Sequence, residues 1–189
     1  MFVLAAIAAP DKSAQNQTDT TKAEPAVAAG ATALPLSEQQ SRFLAVTAEF
    51  SDRFGSATNE LQQSVLRDER RAALVKALAS QRSVTGWVGT IRRLETNSEG
   101  NAILAIRLSP NTEIGTWNNA LSDITDGTLI DKGTPLYNRL LNMSVGDTVA
   151  VSGNFFPSDA DGVKETSLTT RGSMSEPEFL FRFQEVSKQ

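Results

Sequence analysis

The chain contains neither histidine nor cysteine. Those two absences remove Ser-His-Asp and Cys-His nucleophile arrangements, thiolate chemistry, zinc fingers and disulfides together. The Ser-x-x-Lys spacing of a serine–lysine dyad is also missing, because no lysine has a serine three residues before it. With no recognisable catalytic motif and no motif that implies a cofactor, the chain reads as a binding protein rather than an enzyme. A hydrolase built from carboxylates alone stays compatible with this composition, since such pairs are recognised by their separation in space. A chain without thiols is indifferent to the redox state of its compartment.

Basic charge is scarce where a nucleic-acid-binding domain would concentrate it. From Ser83 to the end there are 9 Lys/Arg against 13 Asp/Glu, while Ser37 to Arg82 carries 7 against 6. Counterion release from phosphates supplies most nucleic-acid affinity, so an acidic C-terminal region weighs against that partner. Calcium-loop character is fragmentary. Asp123-Ile-Thr-Asp126-Gly127 and Asp159-Ala-Asp161-Gly162 each match only the start of the twelve-residue pattern, and no metal site is expected from either.

What is present begins with a short apolar run. Met1 to Ala9 (MFVLAAIAA) is uninterrupted apolar sequence, far short of the ~20 residues that span a bilayer as a helix. It has the length and small-residue ending of a secretory h-region, with Ala6-Ile7-Ala8 as an A-x-A-like site. The basic n-region is absent, and the expectation is that a few basic residues lie upstream of Met1. Residues 10–36 are rich in Ala, Thr, Gln and Pro. They hold too little large apolar surface to offset chain entropy, and read as a disordered linker. An apolar leader followed by a linker points to a periplasmic or membrane-anchored extracytoplasmic protein, with a cytoplasmic location as the alternative.

Residues 37–80 read as one long amphipathic helix. Ser37-Glu38-Gln39-Gln40 is a capping box with Leu36 as a staple residue. Phe43, Val46, Phe50, Phe54, Ala57, Leu61 and Val65 follow at spacings of 3, 4, 4, 3, 4 and 4. That spacing keeps one stripe on one face of a nearly straight helix. Gly55-Ser56 is the weak point, but the hydrophobic phase passes through it without a slip, which favours one helix, kinked there, over a hairpin. The stripe offers a surface for packing on the rest of the chain or for self-association. Arg67-Asp68-Glu69-Arg70-Arg71 reads as a solvated face of mixed sign.

From Ser83 to Val186 the pattern is strand, strand, strand, short helix, strand, strand. Val84 to Leu94 forms the first strand, with Gly86 and Gly89 suggesting bulges. Ile103–Leu108 and Glu113–Asn118 follow, then a helix over Leu136–Met143 behind Pro135. Thr148–Phe155 is the fourth strand, and Phe179, Phe181 and Phe183 alternate along the last. This order predicts a mainly β domain with α, a five-stranded Greek-key barrel. The first strand, V-T-G-W-V-G-T-I, and the later G-D-T-V-A-V-S-G resemble OB-fold modules. The nearest resemblance is to small bacterial proteins with tRNA-anticodon-binding-like OB domains, often membrane-anchored or exported, over residues 83–186.

That resemblance implies a ligand lying across the second and third strands, flanked by loops. Carried onto this chain, the face offers Arg107, Trp117 and Asn118, walled by the loop from Phe156 to Pro177 with Arg171. That loop is more than twenty residues long, and long loops on rigid scaffolds tend to carry function. Thr166–Leu168 within it is a candidate irregular edge strand. Trp87, in a glycine-flanked central strand, reads as core, whereas Trp117 is open to either role. The expected ligand is a protein or envelope component. The alternative is single-stranded nucleic acid held by Trp117 and Arg107.

Overall fold

The computed structural model describes residues 35–79 and 81–189. The leader and nearly all of the linker lie outside them. Two helices stand where the sequence pattern predicts one. α1 (Glu38–Ser56) is capped by Ser37, whose side chain accepts from the Gln40 amide, and α2 (Glu60–Ala77) is capped by Asn59, which accepts from the Gln62 amide. The break falls at residues 57–59 rather than at Gly55, which sits inside the last turn of α1. Its cause is local: Gln62 returns its side-chain oxygen to the Thr58 amide while Asn59 holds the Gln62 amide. This is an N-terminal cap with reciprocal bonds. Beyond the break the predicted stripe faces water, with Leu61 81% and Val65 56% exposed. Leu66, Arg70, Leu74 and Ala77 take over as the buried face. The helices fold back as a hairpin tied by Arg53 to Glu69.

The remaining chain closes a five-stranded barrel in the order β1-β2-β3-β7-β4. Its strands are β1 (Ser83–Thr96), β2 (Ala102–Ser109), β3 (Thr112–Gly115), β4 (Thr148–Phe155) and β7 (Glu178–Lys188). β1 is long enough to serve both neighbours, pairing with β4 through 83–90 and with β2 through 90–96. Gly86 makes the bend, with φ at +67° inside a register shift between Val84 and Trp87. β3 and β7 run parallel and every other barrel pair is antiparallel. Between β3 and β4 lie two short helices, α3 (Ala120–Asp123) and α4 (Pro135–Leu140), the second starting at Pro135 behind a Thr134 cap. The third strand is shorter than its pattern suggests, which leaves Trp117 beyond its end.

Residues 156–177 are structured. They contain the hairpin β5 (Pro157–Ser158) and β6 (Gly162–Val163) and the helix α5 (Thr170–Ser175). The edge pairing falls about two residues before the predicted strand, over 164–166 rather than 166–168. Glu165 bridges Phe179, the Thr166 amide donates to the Glu178 carbonyl, and the Leu180 amide donates to the Lys164 carbonyl. β4 has ended by then, and these bonds satisfy the stretch of β7 that it leaves uncovered.

The core is aromatic at one end of the barrel. Phe43 of α1 lies 5.1 Å from Trp87, 5.3 Å from Phe155 and 5.0 Å from Phe179, ring centre to ring centre. Gln40, fully buried one turn earlier, donates to the Val88 carbonyl at 2.6 Å and accepts from the Val88 amide at 2.9 Å. Its amide group mimics a strand backbone beside Val88, just before the pairing of β1 with β2 begins at Thr90, so α1 plugs the barrel rather than standing off from it. The Gln40 side chain is therefore not the second half of a capping box.

Candidate functional site

The outer face of β1, β2 and β3 is set out in rows by strand register. Arg107 opposes Glu113 and Glu113 opposes Glu178; in the next row Arg93 opposes Ala105 and Ala105 opposes Gly115. A second register shift in β1, between Ile91 and Arg93, leaves Arg92 and Arg93 both exposed. A β-bulge presents consecutive side chains in this way. Neighbouring side-chain rows on one face lie roughly 7 Å apart along a strand. The row of small residues is therefore a trough between a charged row and the segment carrying Trp117.

Two clefts of about 440 and 260 Å³ open on this face and share Arg93, Glu113 and Glu178. In the larger, Glu113 is gripped by Arg107, at 3.1 and 3.2 Å, and faced by Arg92 at 3.8 Å. Among the described residues Arg93 has no ionic partner. Glu95, Glu176 and Glu178 complete its rim. The smaller cleft has Ala105 and Gly115 in its floor, Trp117 and Asn118 on one side, and Thr166 and Leu168 on the other. Leu168 is 99% exposed.

Trp117 is held rather than offered. Its amide donates to Thr128 Oγ1 and its indole N–H to Asp126 Oδ2 at 2.8 Å, while Lys164 Nζ lies 5.8 Å from the ring centre. Asp126 also accepts from Lys164 at 2.7 and 3.0 Å, and Arg182 donates to the Asp126 and Gly127 carbonyls. Desolvation pushes the Asp126 carboxyl up, but the bonds from Lys164 and Trp117 outweigh it and leave the group below its ordinary range. Asp123 accepts from the Thr128 amide and hydroxyl and from the Leu129 amide. Both aspartates of the first calcium-like fragment thus brace the turn behind Trp117. In the second fragment, Asp161 is taken by Arg67.

Of the residues expected on the face, Arg107, Trp117 and Asn118 line the clefts, with Arg107 in the larger and the other two in the smaller. Arg171 does not join them. It is exposed on α5 and lines neither cleft. Arg93 and Glu113 went unread in the sequence: Glu113 pairs with Arg107 across β2 and β3, while Arg93 reaches the outer face only through the register shift after Ile91, which alternation does not show. Leu168 carried no signal, because exposure in a loop is a tertiary property.

The phenylalanine stripe, expected as a packing or self-association surface, is buried within the chain. Phe43, Phe50 and Phe54 are all covered. The Arg67–Arg71 segment is not a simple solvated face: Arg67, Arg70 and Arg71 bond to Asp161, Glu165 and the Asp159 carbonyl. No helix among the described residues is long and apolar enough to cross a membrane. No family model, curated protein or solved structure matches this chain.

Proposed function

We propose that the chain is an OB-type binding module, non-enzymatic, that presents the outer face of β1–β3 to a protein or envelope ligand. The strand order, the parallel β3–β7 pair and the helical connector between β3 and β4 support the OB reading. The leader-plus-linker pattern supports a position outside the cytoplasm, exported or tethered at the N-terminus. The observation that carries the choice of ligand is the charge pattern of the face. Its arginines are interleaved with Glu95, Glu113, Glu176 and Glu178, two of the arginines face Glu113, and the nearest tryptophan is half-buried and fastened to Asp126, with Lys164 Nζ already 5.8 Å from its ring centre. A polyanion requires a basic track with free aromatic faces. A protein surface of mixed charge with an aliphatic contact for Leu168 fits better.

Three arginines on one sheet face favour the second reading, a cytoplasmic single-stranded nucleic-acid binder, against which the acidic composition weighs. One experiment separates the two. A photo-crosslinking amino acid at Leu168 or Asn118 gives protein adducts in cells, and the same group at Ala72, exposed on α2, gives none. Adducts that are nuclease-sensitive transfer the proposal to the second reading. Equal yields from all three positions overturn the choice of face.

A further inference from the structure

The 156–177 loop is rooted on a charge pair buried as deeply as the core. Arg70 Nη1 donates to Glu165 Oε1 at 2.8 Å, with the side chains 1% and 3% exposed. Ions at that depth are tolerable only when their remaining donors and acceptors are met. Here Arg70 Nε and Nη2 and Glu165 Oε2 have no protein partner. The guanidinium instead rests over the Phe179 ring, 5.4 Å from its centre. Glu165 is the residue that bridges Phe179 on β7. Thr166 and Leu168, one and three residues further on, form one side of the smaller cleft. A buried charge pair with three unmet polar atoms thus lies at the root of a cleft wall.

We propose that the Arg70–Glu165 pair is a proton-operated latch that sets how firmly residues 164–168 stand over the β1–β3 cleft. This deepens the binding reading above and rests on it for its purpose, though not for its test. The charges facing Glu165 come from two directions. α2 sends Arg70 and Arg67, and the β5–β6 turn sends Asp161; β7 contributes the uncharged Phe179. Burial pushes the Glu165 carboxyl up to about 7, against the pull of Arg70 and Arg67 and with a further push from Asp161. When the wall lifts, the group meets water and titrates near its ordinary 4.5.

The sign follows from linkage. Between about 4.5 and 7 the closed wall holds a proton that the lifted wall has lost, so raising the pH across that window favours lifting. The effect is up to about tenfold per pH unit and levels off above about 7. The wall is closed in mild acid and loosened at neutral pH.

Amide hydrogen exchange tests this without a ligand. The reporters are the Thr166 and Leu180 amides, whose acceptors are the Glu178 and Lys164 carbonyls. Their protection factors, corrected for intrinsic rates, are expected to fall steadily from pH 5 to 7 and hold level from 7 to 8. Glu165→Gln is expected to abolish the slope. Wild-type protection that ignores pH, or a slope that survives in Glu165→Gln, overturns the latch. Exchange at these amides no faster than at β4 amides also overturns it, because the wall then opens only with the whole barrel. The wild-type series decides even if the variant does not fold. Titrating exchange with no crosslinks from Leu168 sinks the ligand face and leaves the latch. Crosslinks with pH-independent exchange do the reverse.

Discussion

At the scale of single residues, two glycines separate what a sequence motif means from what a site demands. Gly153 closes the G-D-T-V-A-V-S-G run, and a Cβ there would land on the Arg182 carbonyl oxygen and within 2.7 Å of the Phe181 ring. Both obstacles belong to the paired strand β7 and neither can swing aside. Gly153→Ala is expected to destabilise the barrel by about 3 kcal/mol, read as a lower urea midpoint at unchanged slope. Gly55 meets nothing within 4 Å and sits in a helix, so Gly55→Ala should instead add roughly 1 kcal/mol. Either outcome reversed would mean that the close approach at Gly153, or the helical conformation at Gly55, is misplaced. Trp87 was legible as core because glycines and alternating apolar residues flank it. The anchoring of Trp117 was not, since Asp126 and Lys164 lie 9 and 47 positions away and meet it only in three dimensions.

Among the elements, α1 does the least expected work. Its apolar period was readable, but period alone cannot tell a stalk from a plug, because either places the same residues on one face. The decisive contact is Phe43 among Trp87, Phe155 and Phe179. Phe43→Ala is expected to cost about 3–5 kcal/mol and to lower the melting temperature of the barrel as well as of the hairpin. A variant whose near-ultraviolet tryptophan signal and melting point match wild type would show that α1 does not close the barrel. The hairpin turn was hidden for a related reason. Leu61 and Val65 continue the phase of the phenylalanines, so the stripe looks unbroken although the chain has reversed. The signal that marks the turn is Asn59-x-x-Gln62, a capping pair as good as the one read at Ser37. β1, β2 and β4 were read to within two residues of their ends because side-chain alternation is local, whereas β3 stops three residues before its predicted end. The 156–177 wall was read only as a loop, since its pairing with β7 depends on where β4 stops.

For the whole molecule, location and architecture rest on different evidence. The proposal of export or tethering rests on the leader and linker patterns of the sequence alone. Alkaline phosphatase fused to the C-terminus is expected to be active, and activity confined to a cytoplasmic reporter would overturn it. The closed barrel of mixed strands rests on the coordinates. The sequence by itself determined the order of the barrel strands, the inward phenylalanines and valines, and the absence of histidine- and cysteine-based nucleophiles, because periodicity and residue type act over a few neighbouring positions. Only the tertiary structure decided that the helix doubles back to seal the barrel, that Arg93 shares a row with Ala105 and Gly115, and that Arg70 meets Glu165 beneath the cleft wall. Those outcomes depend on register, chain reversal and burial, which are set by partners that lie tens of residues apart along the chain.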